Sequence, residues 1–245
     1  MPKRRMLSFD SRNSRKIPQL KMAGPIERKP EPEYMDDPLE AAAYAEADFS
    51  DVNQAFVERL IELEGGAHQL EALDLGTGPA DIPVRVLRLR PEWRIIAVDA
   101  SLPMLKIAAR RIRDEKLQRR IRLILADAKA TGLASQAFPV LFSNSLLHHV
   151  SDTRALWLEI KRLVSPGGLI FLRDLFRPDS EQEALRIVEE YAGGESSLLK
   201  QEFLRSLLSA YTPEEIRSQL SEVGLQCLEV VKVTDRHVDI FGRVA

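Results

Sequence analysis

The glycine turn of this chain reads Leu73-Asp74-Leu75-Gly76-Thr77-Gly78-Pro79-Ala80-Asp81. An apolar segment with an acid near its end is followed by two glycines, which let the backbone turn sharply and approach a ligand without a Cβ in the way. A dinucleotide-binding turn has a third Gly or Ala three residues after the second glycine. This chain has Asp81 there, whose carboxylate would repel a phosphate. No Gly-Lys-Ser/Thr follows, so the sequence also excludes a phosphate-binding loop of the nucleotide type.

Short apolar segments alternate with helical patterns after this turn, which indicates crossover connections and a parallel sheet covered on both faces. The predicted strands are 70–75, 93–98, 121–125, 140–143 and 169–173, and the predicted helices between them are 82–89, 102–117 and 153–164. Two further strands, 226–233 and 238–244, have no helix between them and are predicted to be antiparallel. The fold class is therefore α/β, with a doubly wound, mostly parallel sheet that ends in an antiparallel C-terminal hairpin.

The chain divides by composition into an arm and one domain. Residues 1–30 hold nine Lys or Arg, two acids, four prolines and few apolar residues, which predicts a flexible basic arm. The domain over 31–245 is predicted to comprise an N-terminal helical cap, a cofactor-binding core, inserted lid helices near the substrate, and a final helix with the hairpin. Their predicted bounds are 34–66, 70–175, 176–211 and 212–245.

Three successive predicted strands each carry an acid at their carboxyl end, namely Asp74, Asp99 and Asp127. In an open parallel sheet the ligand crevice lies at this edge. Asp99 is placed to accept hydrogen bonds from both ribose hydroxyls, and Asp127 to meet an adenine amino group. Asp74 suits a cationic ligand without phosphate. S-adenosylmethionine (SAM), with its sulfonium and amino-acid head, has this chemistry.

The glycine turn resembles the first motif of the class I SAM-dependent methyltransferases. Residues 143–150, which include His148 and His149, resemble the segment after their fourth strand, and residues 161–168 resemble the Pro-Gly-Gly turn before their fifth strand. The similarity covers about residues 70–175 and is nearest to the type 11 group with the ubiquinone and menaquinone C-methyltransferases. It implies a Rossmann-like sheet of seven strands. Pro79-Ala80 replaces the third motif glycine that is common in the family.

This resemblance implies that SAM is the cofactor and S-adenosylhomocysteine (SAH) the product. The predicted cofactor-binding residues are Asp74, Gly76, Thr77, Gly78, Asp81, Asp99, Ala100, Met104, Asp127, Ala128, Asn144 and Ser145.

Methyl transfer is an in-line displacement from an electrophile that is already reactive, so the protein mainly has to align the reactants. Two interpretations of His148 stay open: a catalytic base that takes a proton near neutral pH, or a structural hydrogen-bonding group. The predicted acceptor-side residues are Tyr34, Tyr44, His149, Arg173 and Asp174. For Arg173 and Asp174 the alternative is a salt-bridged loop, and for the tyrosines it is ordinary core packing.

The predicted function is methyl transfer to a small-molecule acceptor. One alternative is an RNA-modifying methyltransferase, suggested by the basic arm and by a basic run on the helix after the second strand and beyond it, at Arg110, Arg111, Arg113, Lys116, Arg119, Arg120 and Arg122. Another is a SAM-binding protein without catalysis. The acceptor, the methylated atom and the oligomeric state stay open.

Composition sets further limits. The formal net charge of -2 gives no overall indication of nucleic-acid or membrane binding. No apolar run reaches the roughly 18 residues that span a bilayer. The single cysteine, Cys227, together with the absence of an apolar export signal, predicts a cytoplasmic protein. The four histidines and Cys227 show no metal-ligand spacing, so no metal is predicted.

Overall fold

The structure is a computed structural model that describes residues 26–244. Most of the predicted basic arm lies outside these residues. The strands are β1 (Glu71–Leu75), β2 (Arg94–Asp99), β3 (Ile121–Leu125), β4 (Phe138–Asn144), β5 (Val164–Leu175), β6 (Glu229–Lys232) and β7 (His237–Arg243). The helices are α1 (Pro38–Glu46), α2 (Ser50–Glu64), α3 (Asp81–Leu89), α4 (Leu102–Asp114), α5 (Thr153–Leu163), α6 (Glu181–Ala192), α7 (Ser197–Ser209) and α8 (Pro213–Glu222), with a 3-10 turn at Leu147–His149.

The seven strands form one sheet in the order β3-β2-β1-β4-β5-β7-β6. Strands β1 to β5 are parallel, and β7 pairs antiparallel with both β5 and β6. The sheet reverses its winding between β1 and β4, so the crevice at the carboxyl ends of these strands is the expected ligand site. The predicted α/β fold with an antiparallel C-terminal hairpin is confirmed.

Helices cover both faces of the sheet. Alternate residues of β1 point to opposite faces, so that Ala72 packs with α2, α3 and α4 whereas Leu73 and Leu75 pack with α5 and α8. Helices α6 and α7 build a smaller apolar cluster of their own beside Leu175, at the carboxyl end of β5. The cap helix α1 packs on α4. No helix among the described residues is long and apolar enough to cross a membrane.

Several predicted boundaries shift for local reasons. Strand β5 begins at Val164, so the Pro-Gly-Gly segment lies inside the strand rather than in a turn before it. The pairing of β5 with β4 shifts register at this segment, between Phe138 and Val140. Helix α4 ends at Asp114 instead of 117, because Lys116 takes a left-handed φ of 59°. Strand β6 is shorter than predicted because Leu225–Leu228 forms a backbone turn before it.

Candidate active site

A cleft of about 400 Å³ opens at the carboxyl edge of the sheet, between the glycine turn and the loop that joins α1 to α2. This volume lies in the range of small-molecule sites. All of the residues predicted to bind the cofactor line it: Asp74, Gly76, Thr77, Gly78, Asp81, Asp99, Ala100, Met104, Asp127, Ala128, Asn144 and Ser145. The sheet topology therefore brings together what the sequence separates by more than 70 residues.

Asp99 holds the two neighbouring backbone turns in place. One oxygen of its carboxylate accepts a hydrogen bond from the Gly78 N–H at 2.7 Å, and the other accepts from the Ser101 N–H at 2.8 Å. The Ser101 hydroxyl in turn caps α4 by accepting from the Met104 N–H at 3.3 Å. Burial raises the pKa of the Asp99 carboxyl above its ordinary value, opposed by these backbone hydrogen bonds.

Asp74 is the most buried acid of the cleft, with 2% of its surface exposed. Its Oδ2 atom and the Thr77 hydroxyl make no hydrogen bond with any residue that the structure describes. Burial raises the pKa of the Asp74 carboxyl to about 7; the neighbouring Thr77 hydroxyl opposes this shift, and the nearby Asp99 carboxylate acts in the same direction as burial. A buried polar atom without a partner is costly, so this corner of the cleft is suited to a ligand that supplies a hydrogen-bond donor or a positive charge.

Asp127 also lines the cleft, where it contacts the N-terminal strap, which is defined as residues 26–36. Its carboxylate accepts hydrogen bonds from the Tyr34 hydroxyl and from the Lys129 N–H, both at 2.8 Å. Although partial burial opposes them, these hydrogen bonds lower the pKa of the Asp127 carboxyl. Glu33 pairs with the Lys129 ammonium, so the strap is fixed at this end by charge as well.

The carboxylate of Asp81 is not free. It accepts hydrogen bonds from Arg85 at 2.6 Å, from Asn53 at 2.9 Å and from Arg111 at 3.0 Å. Asp81 is thus paired with two arginines, so its own charge is neutralised and the exclusion of phosphate depends on the other acids of the cleft. Arg85 is four residues from Asp81, but the contact with Arg111 could not be predicted locally because Arg111 lies 30 residues away on α4.

The two histidines occupy different environments although they are adjacent. His148 is 4% exposed, its Nδ1 lies 2.5 Å from the Asp174 carboxylate, and it does not line the cleft. His149 lines the cleft. Burial opposes protonation of His148, but the Asp174 carboxylate dominates and raises its pKa. Burial, with the neighbouring His148, lowers the pKa of His149 to about 3.

Arg173 and Asp174 face the protein interior rather than the cleft. The Arg173 guanidinium forms a two-pronged ion pair with Asp239 on β7, at 2.6 and 2.8 Å. Asp174 accepts hydrogen bonds from the backbone N–H of Leu147 and Leu175 as well as contacting His148. Of the two interpretations left open by the sequence, the salt-bridged one fits this placement.

Tyr44 and Tyr34, the predicted aromatic residues of the cap, both line the cleft. The Tyr44 ring lies 5.0 Å from the Phe49 ring, across the loop that closes the cleft. Burial raises the pKa of the Tyr44 hydroxyl to about 12, and the carboxylates of Asp174, Asp99 and Asp81 contribute in the same direction. Tyr44 therefore keeps its proton at any physiological pH and can act there as a hydrogen-bond donor.

Sequence reasoning missed the N-terminal strap. Arg28, assigned to the flexible arm, packs 4.0 Å over the Tyr211 ring and donates a hydrogen bond to the backbone carbonyl of His148 at 2.9 Å. The Ser101 hydroxyl donates to the Met35 carbonyl at 2.6 Å, which fixes the other end of the strap. Its prolines and charges resemble those of a disordered segment, and only contacts with distant residues hold it.

Substitution of Gly76 tests whether the backbone of the glycine turn must approach the Leu146 side chain closely. An alanine Cβ would lie 2.9 Å from the Leu146 side chain at a φ of 71°, whereas at Gly78, with a φ of 52°, no heavy atom lies within 4 Å. Both alanine variants meet backbone strain of about 1 kcal/mol, but only Gly76→Ala adds a steric clash. We expect Gly76→Ala to lose at least about 2 kcal/mol of unfolding free energy. Chemical denaturation of both variants measures this difference, and equal losses would contradict it.

The central part of the chain is similar to known methyltransferases. A methyltransferase domain family matches residues 73–172. A malonyl-[acyl-carrier protein] O-methyltransferase of Xylella fastidiosa (strain M23) is 31% identical over 108 residues, which are 44% of this chain and 35% of that protein. A demethylmenaquinone methyltransferase of Roseiflexus sp. (strain RS-1) is 29% identical over 107 residues, which are 44% of this chain and 43% of that protein. The aligned segments thus span less than half of the length of either relative.

A solved structure resembles almost the whole chain. The crystal structure of a protein described as an S-adenosyl-L-methionine-dependent methyltransferase from Methanococcus maripaludis superposes with a TM-score of 0.66. The superposition covers 91% of this chain and 98% of that protein at 19% identity. At this identity the likeness shows the fold, which is the Rossmann-like fold expected from the sequence.

Proposed function

We propose that the protein transfers a methyl group from SAM to a small-molecule acceptor, since residues 73–172 match a methyltransferase domain family. The observation that carries the proposal is the position of Asp74, Asp99 and Asp127 along one cleft at the carboxyl ends of three strands. A row of acids, with an unpartnered buried carboxylate oxygen at Asp74, suits a cationic cofactor without phosphates.

Different residues of the cleft are proposed to bind different parts of the cofactor. Asp99 accepts hydrogen bonds from the ribose hydroxyls, as the acid at this position does in related folds. Asp127 and Met104 border the adenine end. Asp74 and the backbone of the glycine turn hold the amino-acid end, where the positive charges of the cofactor offset the desolvated carboxylate. The backbone can approach closely because Gly76 and Gly78 both take left-handed conformations without a Cβ.

When bound, SAM would supply a methyl group bonded to its sulfonium sulfur, and SAH would be the product that remains after the methyl group is transferred. The chain's own residues align the two reactants and exclude water, which accounts for most of the acceleration such a displacement needs. Tyr44 and Phe49 cover the cleft from the loop between α1 and α2. The N-terminal strap covers it from the other side.

His148 reaches the cleft only through its neighbours, so we assign it a positioning role rather than direct contact with the acceptor. Its Nδ1 is held by Asp174, and its Nε2 lies 3.5 Å from Glu31 of the strap. Glu31 and the histidine turn lie beside the lid helix α7, where the Ser206 hydroxyl donates to Glu31 and the Ser209 hydroxyl donates to the His148 carbonyl. The acceptor is proposed to enter on this side, next to the lid helices α6 and α7.

A small acceptor fits the cover better than a polymer does, because the cap loop and the strap both lie across the cleft. The basic run proposed for RNA is partly engaged within the protein: Arg111 pairs with Asp81, and Arg120 pairs with Glu92. The domain limits predicted from the sequence are kept as a proposal, with the strap now assigned to the domain rather than to the arm.

The test is release of SAH from purified full-length chain with panels of small acceptors that carry phenol, carboxylate, thiol or amine groups, and with total RNA. We expect turnover with at least one small acceptor and none with RNA. Deletion of residues 1–25 serves as the matched control, because it removes the basic residues outside the strap and should leave this activity intact. Turnover with RNA alone, lost in the deletion, would replace the proposal with the RNA-modifying alternative.

The raised pKa of Asp74 predicts a pH dependence of cofactor binding. With a pKa of about 7 in the free protein, Asp74 is protonated at pH 6 and gains its attraction for a cationic ligand as the pH rises. We therefore expect SAM affinity to increase by about tenfold from pH 6 to pH 8, with release of a proton on binding at the lower pH. Calorimetry in buffers of different ionisation enthalpy measures both quantities.

Two variants show whether the pH dependence of SAM binding comes from Asp74 or from another acid of the cleft. Asp74→Asn should bind SAM with an affinity that no longer changes between pH 6 and pH 8. Asp127→Asn, which removes a carboxyl group whose pKa is lowered, should weaken binding and keep the pH dependence. A pH dependence that survives in Asp74→Asn would refute the assignment.

A further inference from the structure

Three side chains with metal-binding atoms meet at the acceptor end of the cleft. They are Glu31 of the strap and the adjacent His148 and His149 of the 3-10 turn, and their ligand atoms all lie within 4.8 Å of one another. We propose that these three side chains together bind one divalent transition-metal ion of the zinc and cobalt class. The sequence predicted no metal because Glu31 lies 117 and 118 positions from the two histidines, outside any recognisable ligand spacing.

The distances between the ligand atoms of the cluster are close to those found around a bound zinc ion. Ligands at about 2.0–2.1 Å from a tetrahedral zinc ion are about 3.3 Å from one another. The Glu31 Oε1 atom lies 3.1 Å from the His149 Nδ1 and 3.5 Å from the His148 Nε2. Two of the three separations therefore already have the values that a bound ion requires.

The surroundings of His148 resemble the support that metal-bound histidines have. Its Nδ1 lies 2.5 Å from Asp174 Oδ1, an arrangement in which a carboxylate fixes one ring nitrogen and leaves the other as a ligand. Asp174 is itself fixed by the N–H groups of Leu147 and Leu175, at 2.6 and 2.8 Å. The free Nε2 thus points to Glu31 from a rigid base.

The other two ligand atoms of the cluster differ in their hydrogen bonds. The Nδ1 atom of His149 is buried and, although it lies 3.1 Å from Glu31 Oε1, it makes no hydrogen bond of acceptable geometry with any residue between 26 and 244. The Glu31 side chain is only 6% exposed, and its Oε1 atom faces both imidazoles and accepts a hydrogen bond from the Ser206 hydroxyl at 3.3 Å. A cation between the three groups would satisfy both at once, since buried carboxylates otherwise need a charged partner.

The donor set selects the class of ion. Two imidazoles with one carboxylate suit zinc, cobalt and iron, whereas magnesium and calcium prefer sites built of oxygen ligands. Three protein ligands leave a fourth position open, as in catalytic rather than structural zinc sites. Because His149 lines the cleft, that position is available to an acceptor.

An ion with an open position binds an oxygen or sulfur nucleophile and favours its deprotonated form. The acceptor class would then be one with an ionisable hydroxyl or thiol next to the methyl donor. This role rests on the proposed methyl transfer, whereas the metal site itself does not.

The test titrates chelator-treated, full-length chain with Co²⁺ and follows the visible absorption bands of the ion. We expect one equivalent to bind with the intense bands of low-coordinate cobalt, and Zn²⁺ to displace it. Glu31→Gln and His149→Ala should each weaken Co²⁺ binding by at least about 100-fold, since each removes a direct ligand and outer partners alone contribute 10–100-fold. His68→Ala, an exposed histidine outside the cluster, should bind as the unsubstituted chain does.

Circular dichroism of each variant shows whether it is folded, so that weakened binding reports on the site. Absence of saturable Co²⁺ binding, or equal affinity in Glu31→Gln, His149→Ala and His68→Ala, would overturn the inference. Parallel SAM titrations of the metal-free chain keep the two proposals separate. Cobalt binding without SAM binding would leave the metal site standing and reject the proposed function.

Discussion

Replacement of Asp99 by alanine is expected to lower the affinity for SAM by at least about 100-fold, since each hydrogen bond to a charged group contributes about 1.5–3 kcal/mol. The variant loses the proposed contacts with both ribose hydroxyls. It also loses the hydrogen bonds that hold the N–H groups of Gly78 and Ser101, at 2.7 and 2.8 Å, so the glycine turn itself loosens. Equilibrium dialysis with labelled SAM measures the change.

The matched control for this variant is Asp114→Ala, which removes an exposed acid at the end of α4, away from the cleft. We expect it to bind SAM as the unsubstituted chain does. If Asp99→Ala binds SAM within a few-fold of the control, Asp99 is not part of the cofactor site and the placement of the ribose is wrong.

Replacement of Asp174 by alanine is expected to destabilise the fold by about 3–5 kcal/mol, the usual effect of removing one partner of a buried ion pair. The variant leaves His148 without its counter-charge and two backbone N–H groups without an acceptor. For a chain of this size the loss corresponds to a decrease in Tm of about 10 °C. Thermal unfolding in the presence of a chelator measures it without a contribution from bound metal.

Asp179→Ala is the control for this second variant, because Asp179 is exposed on the loop before α6. Its Tm should stay within about 2 °C of the unsubstituted chain, as is usual for surface substitutions. A comparably small effect of Asp174→Ala would mean that Asp174 is free to serve the acceptor, as one interpretation of the sequence had it.

The parts of the site that could be predicted are those coded by neighbouring residues. The glycine turn and the acids at the ends of β1, β2 and just after β3 follow from short local patterns, and the topology of a parallel sheet brings them to one edge. The alternation of strands and helices is also a local pattern, and it was sufficient to predict the fold class. The family resemblance then extended the set of cleft residues to positions such as Met104 and Asn144.

The parts that could not be predicted depend on contacts between distant residues. Glu31 meets His148 only after the strap has crossed the cleft, and Arg173 finds Asp239 only when β7 pairs with β5. The neutralised state of Asp81 likewise requires α3 and α4 to lie side by side. The local sequence around a charged residue does not show whether its side chain is solvated or forms an ion pair.

Calorimetric titration of the full-length chain at pH 8 with SAM and SAH, and with NADH for comparison, tests whether the cleft binds the proposed cofactor. We expect one site that binds SAM and SAH and does not bind NADH. Absence of SAM binding, or binding of NADH in its place, would contradict it.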